Sequence, residues 1–287
     1  MKLPNSIIAK TAFGLLLAVL LTFASVVSGQ KIAVLAPDRT PQEIAYSAMF
    51  SGAITNRVKL LDGGMAEAAF RSVAVENPFN LSIEDSKNIG SVIGCDYFIL
   101  LRTGTLRRVS LNKPDYFEAF TAAYVVSSRT GRLVIWKLQR AEAENEANAE
   151  DKLLASANTL GSEIFKELPS IAANETTETS PSVEEIPSEN TDAAKNFRAP
   201  VPYRRIAPEY TPLAYLYDVK ATVEIQVDLD AAGKILRTEI VRWAGFGLDE
   251  SVDAAVRKMN WRPAERSGMT LPIRFLLRYN FKKIEKE

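Results

Sequence analysis

The chain has 287 residues, with 35 Lys plus Arg balancing 35 Asp plus Glu. A net charge of zero gives no electrostatic draw for nucleic acid. There is no histidine and a single cysteine, which excludes a Ser-His-Asp or Cys-His nucleophile, an H-E-x-x-H zinc site, an internal disulfide and C-x-x-C chemistry. The length leaves room for two domains with real cores.

Met1 to Gly29 has the build of a secretory signal peptide: Lys2 and Lys10 bracket the n-region, Thr11 to Val27 is uncharged, and Val27-Ser28-Gly29 offers a small-residue cleavage point. The alternative is an uncleaved membrane anchor, for which the apolar run is short. No cysteine near the cleavage point is available for lipid attachment.

Residues 30–171 read as an α/β, sandwich-like domain. Ile32 to Leu35 is a short buried strand. Pro41 to Asn56 is helical, with Ile44, Ala45, Met49 and Ala53 expected to face inward. Val58 to Leu61 is a second strand closed by the turn Asp62-Gly63-Gly64. Ser82 and Asp85 form a capping pair for a helix bearing Ile89, Val92 and Ile93 that stops at Gly94. Strands follow over Asp96 to Arg107, Tyr116 to Ser128 and Arg132 to Leu138. A last helix covers Asp151 to Leu168, with Leu153, Leu154, Leu160, Ile164 and Phe165 as its apolar stripe. Cys95, between a helix end and an apolar strand, reads as a buried thiol. The opening Ile-Ala-Val-Leu, the Ile-Gly-Cys-Asp-Tyr lead into a strand and the Ser-Arg-Thr-Gly-Arg-Leu-Val hairpin resemble the CsgG-like and penicillin-binding-protein-activator group of envelope domains. That resemblance implies an assembly or binding role.

Residues 172–197 are dominated by Glu, Thr, Ser, Asn and Pro, and are expected to form a disordered linker, too poor in apolar surface to offset its ordering entropy.

Residues 198–287 carry a strand, strand, helix, strand pattern. Val223, Ile225, Val227 and Leu229 alternate with polar neighbours. Asp230 to Gly233 reads as a hairpin turn and Lys234 to Trp243 as the return strand. After Ala244-Gly245-Phe246-Gly247, Asp249 is placed to cap a helix with Val252, Ala255, Val256 and Met259 on one face. A final strand is expected from Leu271 to Phe281. Asp228, Asp230, Gly233 and Glu239 have partial calcium-loop spacing, but Ala232 and the hairpin context favour a plain turn.

Ala207-Pro208-Glu209-Tyr210, Val227-Asp228 with Gly233, Leu248-Asp249-Glu250, Ala254-Ala255-Val256, Trp261-Arg262-Pro263-Ala264, Gly268 and Tyr279-Asn280-Phe281 together resemble the TonB C-terminal domain family. Two positions depart from it: Tyr210-Thr211, where members often have Tyr-Pro, and Val219-Lys220-Ala221, where they have Gly-x-Val. The fold class expected for the whole is α+β, an N-terminal α/β domain followed by a small TonB-like domain of hairpin, helix and third strand.

The resemblance implies a periplasmic adaptor that adds an extended segment of an outer-membrane receptor, or of another envelope protein, to an exposed strand edge. It also raises an inner-membrane motor complex as a candidate partner, and a homodimer is an alternative use of the same strand. The residues expected to bind are Leu271, Ile273, Arg274, Phe275, Leu277, Arg278 and Tyr279, the two arginines favouring an acidic or polar peptide. The alternative is an envelope assembly or regulatory factor working through the N-terminal domain. No enzyme activity, cofactor, metal or nucleic acid is expected.

Overall fold

The computed structural model describes residues 29–109, 114–175, 183–188 and 190–283. The expected signal peptide therefore lies, except for Gly29, outside the described residues. Among the described residues no helix is long and apolar enough to cross a membrane.

The N-terminal half is built on one mixed sheet of β1 (Lys31–Leu35), β2 (Lys59–Leu60), β3 (Tyr97–Arg108), β4 (Tyr116–Ser127) and β5 (Leu133–Ala143), in the order β2-β1-β3-β4-β5. β1 runs parallel to β2 and β3, whereas β3, β4 and β5 form a long antiparallel meander. One face of the sheet is covered by α1 (Pro41–Ile54), α4 (Glu146–Ala155) and α5 (Ala157–Asn174), which supply Tyr46, Phe50, Leu153, Leu160 and Ile164 to a core with Ile32, Ile99 and Val125. The other face carries α2 (Gly63–Ser72) and α3 (Ile83–Ile93) through Ala66, Phe70 and Ile89.

Local chemistry sets the helix starts. The Ser82 hydroxyl accepts from the Asp85 backbone N–H while the Asp85 carboxylate accepts from that of Ser82, and Gly94 closes α3 in the left-handed conformation. Asp62 caps α2, so Gly63-Gly64 opens a helix where a turn was expected. In α1 the expected inward face is wrong except at Ala53, which packs half-buried against the core. Ile44 and Met49 are exposed, and Tyr46, Phe50 and Ile54 are buried. The helix has apolar residues all round, so its periodicity does not choose a side, and the larger aromatic stripe wins the core. The expected last helix is two, breaking at Ser156.

The C-terminal half has a second sheet in the order β10-β9-β14-β6, from β6 (Glu184–Glu185), β9 (Ala221–Leu229), β10 (Ile235–Arg242) and β14 (Ile273–Phe281). α6 (Pro212–Leu216) precedes β9 and α7 (Leu248–Arg257) follows β10. Small ladders join β7 (Phe197–Arg198) to β12 (Ala264–Arg266), β8 (Val201–Pro202) to β11 (Trp261–Arg262), and β12 to β13 (Met269–Leu271). Val223, Ile225, Val227 and Leu229 are fully buried, as their alternation predicts. Gly233, with φ of 84°, closes the β9–β10 hairpin so near the chain that an added Cβ would stand 2.3 Å from the Trp261 carbonyl oxygen.

Inside 172–197, where a linker was expected, the structure places several ordered contacts. α5 continues to Asn174, and the Glu175 carboxylate accepts from Tyr97 Oη at 2.7 Å and Thr130 Oγ1 at 2.6 Å. Glu184 and Glu185 form β6, Asp192–Ala194 is a 3-10 turn, and Phe197 joins β7.

The two halves share a core. The open part of the N-terminal sheet's second face, with Phe98, Leu100, Phe120, Ala122 and Tyr124, packs in one cluster with Val223, Ile225, Trp243, Phe246 and Val252. The loop Trp243 to Gly247 is the plug. Trp243 lies against Tyr124 with ring centroids 5.7 Å apart, and Phe246 lies 4.8 Å from Trp136 and 5.7 Å from Tyr217. Gly245, at φ of 72°, leaves no room for a Cβ, which would meet the Trp136 indole at 2.6 Å and Tyr124 at 3.1 Å. Polar stitches surround it: Trp243 N–H donates to the Leu81 carbonyl, and Asn80 donates to the Thr222 and Trp243 carbonyls while accepting from Thr222 N–H. At the rim Tyr217 Oη donates to buried Glu118 at 2.6 Å, and Arg132 pairs with Glu239 at 2.6 Å.

Asp249 does not cap its own helix. Its carboxylate turns back to accept from Ala244 and Gly245 N–H, each at 2.9 Å, and so holds the plug. Burial pushes its carboxyl up to about 7, against the lowering effect of those two bonds. Glu43, at the start of α1, is likewise pushed up to about 7, by burial and then by Asp38.

Both carboxyls have folded pKa values above their unfolded ones, so the stability they carry is fully present below about pH 4 and is lost as pH rises through about 7. Between pH 5 and 8 the urea midpoint is expected to fall, and Asp249→Asn or Glu43→Gln to flatten that fall. Gly245→Ala is expected to cost about 2 to 3 kcal/mol through φ strain plus the clash with Trp136. Gly268→Ala, where nothing lies near the added Cβ, is expected to cost about 1 kcal/mol from φ alone; equal losses at the two positions would contradict a tight plug.

Candidate partner-binding edge

The strand expected to bind a partner is β14, and its register with β9 sets which side is free. Ile273 to Phe281 pair one for one with Leu229 down to Ala221. On one face Ile273, Phe275 and Phe281 are buried and Leu277 and Tyr279 half-buried in the shared core. The other face carries Arg274, Leu276, Arg278 and Asn280 opposite Asp228, Gln226, Glu224 and Thr222.

The two arginines predicted to read an acidic peptide are engaged within the sheet. Arg274 grips Asp228 through two bonds of 2.6 and 2.7 Å, with both side chains largely buried. Arg278 reaches Glu224 at 2.6 Å, and Arg242 on β10 approaches the same carboxylate at 3.3 Å. Because β9 places the carboxylates of Asp228 and Glu224 on its outward face, the flanking strands supply cations beside them, and the charges cancel laterally. Of the expected residues, the sheet brings Ile273, Arg274, Phe275, Leu277, Arg278 and Tyr279 together on β14.

Leu271 falls elsewhere. Pro272 separates it from β14, and it belongs to β13, paired with Ala264 on β12 across a turn at Ser267 and Gly268, both with positive φ. The sequence signal for that hairpin is Ser267-Gly268 between two short alternating runs.

In an antiparallel pair, alternate residues turn both main-chain groups toward the same neighbour. The Arg274 carbonyl accepts from Ile186 N–H at 3.2 Å on the side away from β9. By alternation Leu276, Arg278 and Asn280 also present N–H and C=O to that side. Thr222, opposite Asn280, has its N–H and carbonyl bound by Asn80 on its other flank, which fixes the same parity. Among the described residues β6 pairs only with Ile273 and Arg274, and no strand pairs with β14 on that side beyond them. Leu276, the first of these outward residues beyond β6, is 51% exposed.

A cleft of about 1040 Å³ between the halves is lined by Arg278, Asn280 and Thr222 and by Asn77, Asn80 and Asp85 of the N-terminal half, with Asn80 bound to Thr222 on the flank of β9 opposite β14. The N-terminal residues at this cleft escape sequence reasoning, because nothing in the Asn77 to Asn80 stretch marks it as a contact to a strand 142 residues away.

Residues 206–282 match the family described as the Gram-negative bacterial TonB protein C-terminal. Residues 206–282 of this chain are a TonB C-terminal domain. Three of the solved structures similar to this chain illustrate the match. The Pseudomonas aeruginosa TonB C-terminal domain has 18% identity over 37% of this chain and 98% of its own, with a TM-score of 0.27. Lipoprotein GNA1162 from Neisseria meningitidis has 12% identity over 50% of this chain and 99% of its own, with a TM-score of 0.32. The LpoB C-terminal domain from Salmonella enterica has 12% identity over 45% of this chain and 93% of its own, with a TM-score of 0.26. Among curated proteins no sequence matches the chain.

The TonB domain's two arginine pairs differ in burial, and their removal is expected to differ with it. Arg274→Ala leaves Asp228 buried and uncompensated, at an expected cost of about 3 to 5 kcal/mol. Arg278→Ala removes a side chain that is 63% exposed and leaves Glu224 beside Arg242, so about 1 kcal/mol or less is expected. Urea unfolding of the two variants checks the ranking; a larger loss for Arg278 would contradict it.

Proposed function

We propose that this chain is a periplasmic envelope protein that binds a partner protein by adding an extended segment of that partner to the free edge of β14. The observation that carries the reading is the open stretch from Leu276 to Asn280, whose outward main-chain groups meet no partner strand among the described residues. Main-chain bonds supply affinity in this mode, and side chains at alternate positions supply selectivity. The family match supports an outer-membrane receptor as the partner, with an inner-membrane motor complex as a second contact. The chain acts in this reading by binding and not by catalysis, in keeping with the absence of histidine from the sequence.

One observation favours a second reading, an assembly or regulatory factor working through the N-terminal domain. β5 pairs only with β4, so among the described residues the far side of this 11-residue strand carries no partner strand. A partner on that edge would leave the β14 edge idle.

The test uses the whole mature chain, since separated halves would expose Trp243 and Phe246. Leu276→Pro removes one outward N–H and no bond to β9. The reading predicts that the wild-type chain captures an outer-membrane receptor from solubilised envelopes, and that Leu276→Pro lowers capture about tenfold or more while circular dichroism and the urea midpoint stay within error. Capture unaffected by Leu276→Pro, and lost instead on a proline at an edge-facing position of β5, would move the function to the N-terminal domain.

A further inference from the structure

The open edge of β14 is not empty along its whole length, and what sits on it is part of this chain. β6 runs parallel to β14, with Glu184 opposite Ile273 and Glu185 opposite Arg274, and Ile186 N–H donates to the Arg274 carbonyl. Residues 184 to 186 are all exposed, so burial does not hold them there. Among the described residues the hydrogen-bonded side-chain anchor is a fork: Arg266 Nη2 and Nη1 bond the two Glu184 oxygens at 2.5 and 3.0 Å. Arg266 is itself oriented from behind, its guanidinium lying 5.6 Å from the Phe197 ring centroid in the neighbouring β7–β12 ladder. The Glu184 carboxyl is lowered by that bond.

A two-residue ladder with one exposed ion pair is held weakly, since solvent screens an exposed pair and strands this short have little stability of their own. It occupies the place where an added strand would begin, with the rest of the edge lying open beyond it. We infer that residues 183–188 are a resident, displaceable occupant of the β14 edge, and that the partner is an acidic extended segment whose carboxylate takes the place of Glu184 on Arg266. The inference rests on the strand-addition reading above and adds to it a partner chemistry, a specificity residue and a competing segment. Arg266 is the reader because, unlike Arg274, its fork is engaged by the occupant and not by β9.

The test is fluorescence anisotropy with a labelled peptide of the sequence of residues 183–188, and a second peptide with lysine at both glutamate positions, titrated with the mature chain. A released variant, Glu184→Ala with Ile186→Pro, loses the fork and the main-chain bond at exposed positions. The released variant is expected to bind the acidic peptide about tenfold more tightly than wild type and to discriminate against the lysine peptide. Adding Arg266→Ala is expected to remove that discrimination, and adding Leu276→Pro to weaken binding of either peptide. Equal binding by wild type and the released variant, or no preference between the peptides, would overturn the inference while leaving strand addition standing if Leu276→Pro still weakens binding. Binding that follows release and Arg266 but ignores Leu276→Pro would overturn strand addition itself.

Discussion

The docking of the Trp243 to Gly247 loop on the ring cluster of Tyr124 and Trp136 is the constraint on which the rest of the molecule depends. It joins two sheets that would otherwise each present a bare apolar face, and it does so with large aromatic rings, which bury more area per residue than any other side chain. The geometry is exacting. Gly245 sits where a single methyl would strike an indole, and two backbone N–H groups of the loop are taken by Asp249, a carboxylate withdrawn from water. The polar stitches at Asn80 and Leu81 extend the C-terminal sheet with groups from the N-terminal half.

This joint changes what kind of device the chain is. Two domains on a flexible tether would present their surfaces independently, whereas a shared core fixes the β14 edge relative to Asn77, Asn80 and Asp85 across the cleft. The lateral pairing of Arg274 with Asp228 and of Arg278 with Glu224 leaves the outward face of β14 nearly neutral, so that its main chain and Arg266 are what an incoming segment encounters.

Much of the C-terminal fold is legible in the sequence because its signals are local: the alternation from Val223 to Leu229, the Asp230 to Gly233 turn and the one-sided helix from Val252 to Val256 each settle one element. The capping box at Ser82 and Asp85 is legible for the same reason. The inward face of α1 is not, since a helix apolar all round offers no stripe to choose. The joint is illegible for a different cause. Trp243, Gly245 and Phe246 read as a loop after a strand, and only the N-terminal sheet's uncovered half explains why that loop is aromatic. Composition likewise gives no sign of the contacts at Glu184 to Ile186, which depend on main chain and on an arginine distant in sequence. At the site, β14 is readable as a strand, while the partners that neutralise its arginines follow from register, which sequence patterning does not fix between strands 46 residues apart.

The most direct measurement is native-state hydrogen exchange on the protein across a urea series, comparing β3 and β4 amides in the N-terminal sheet with those of β9 in the C-terminal sheet. A shared core predicts that the most protected amides of both sheets exchange through the same global opening, with free energies that merge and fall with urea along one line. If β9 opened through a separate unit, differing by about 2 kcal/mol or more from β3 and β4, the halves would be independent domains and the joint an incidental contact.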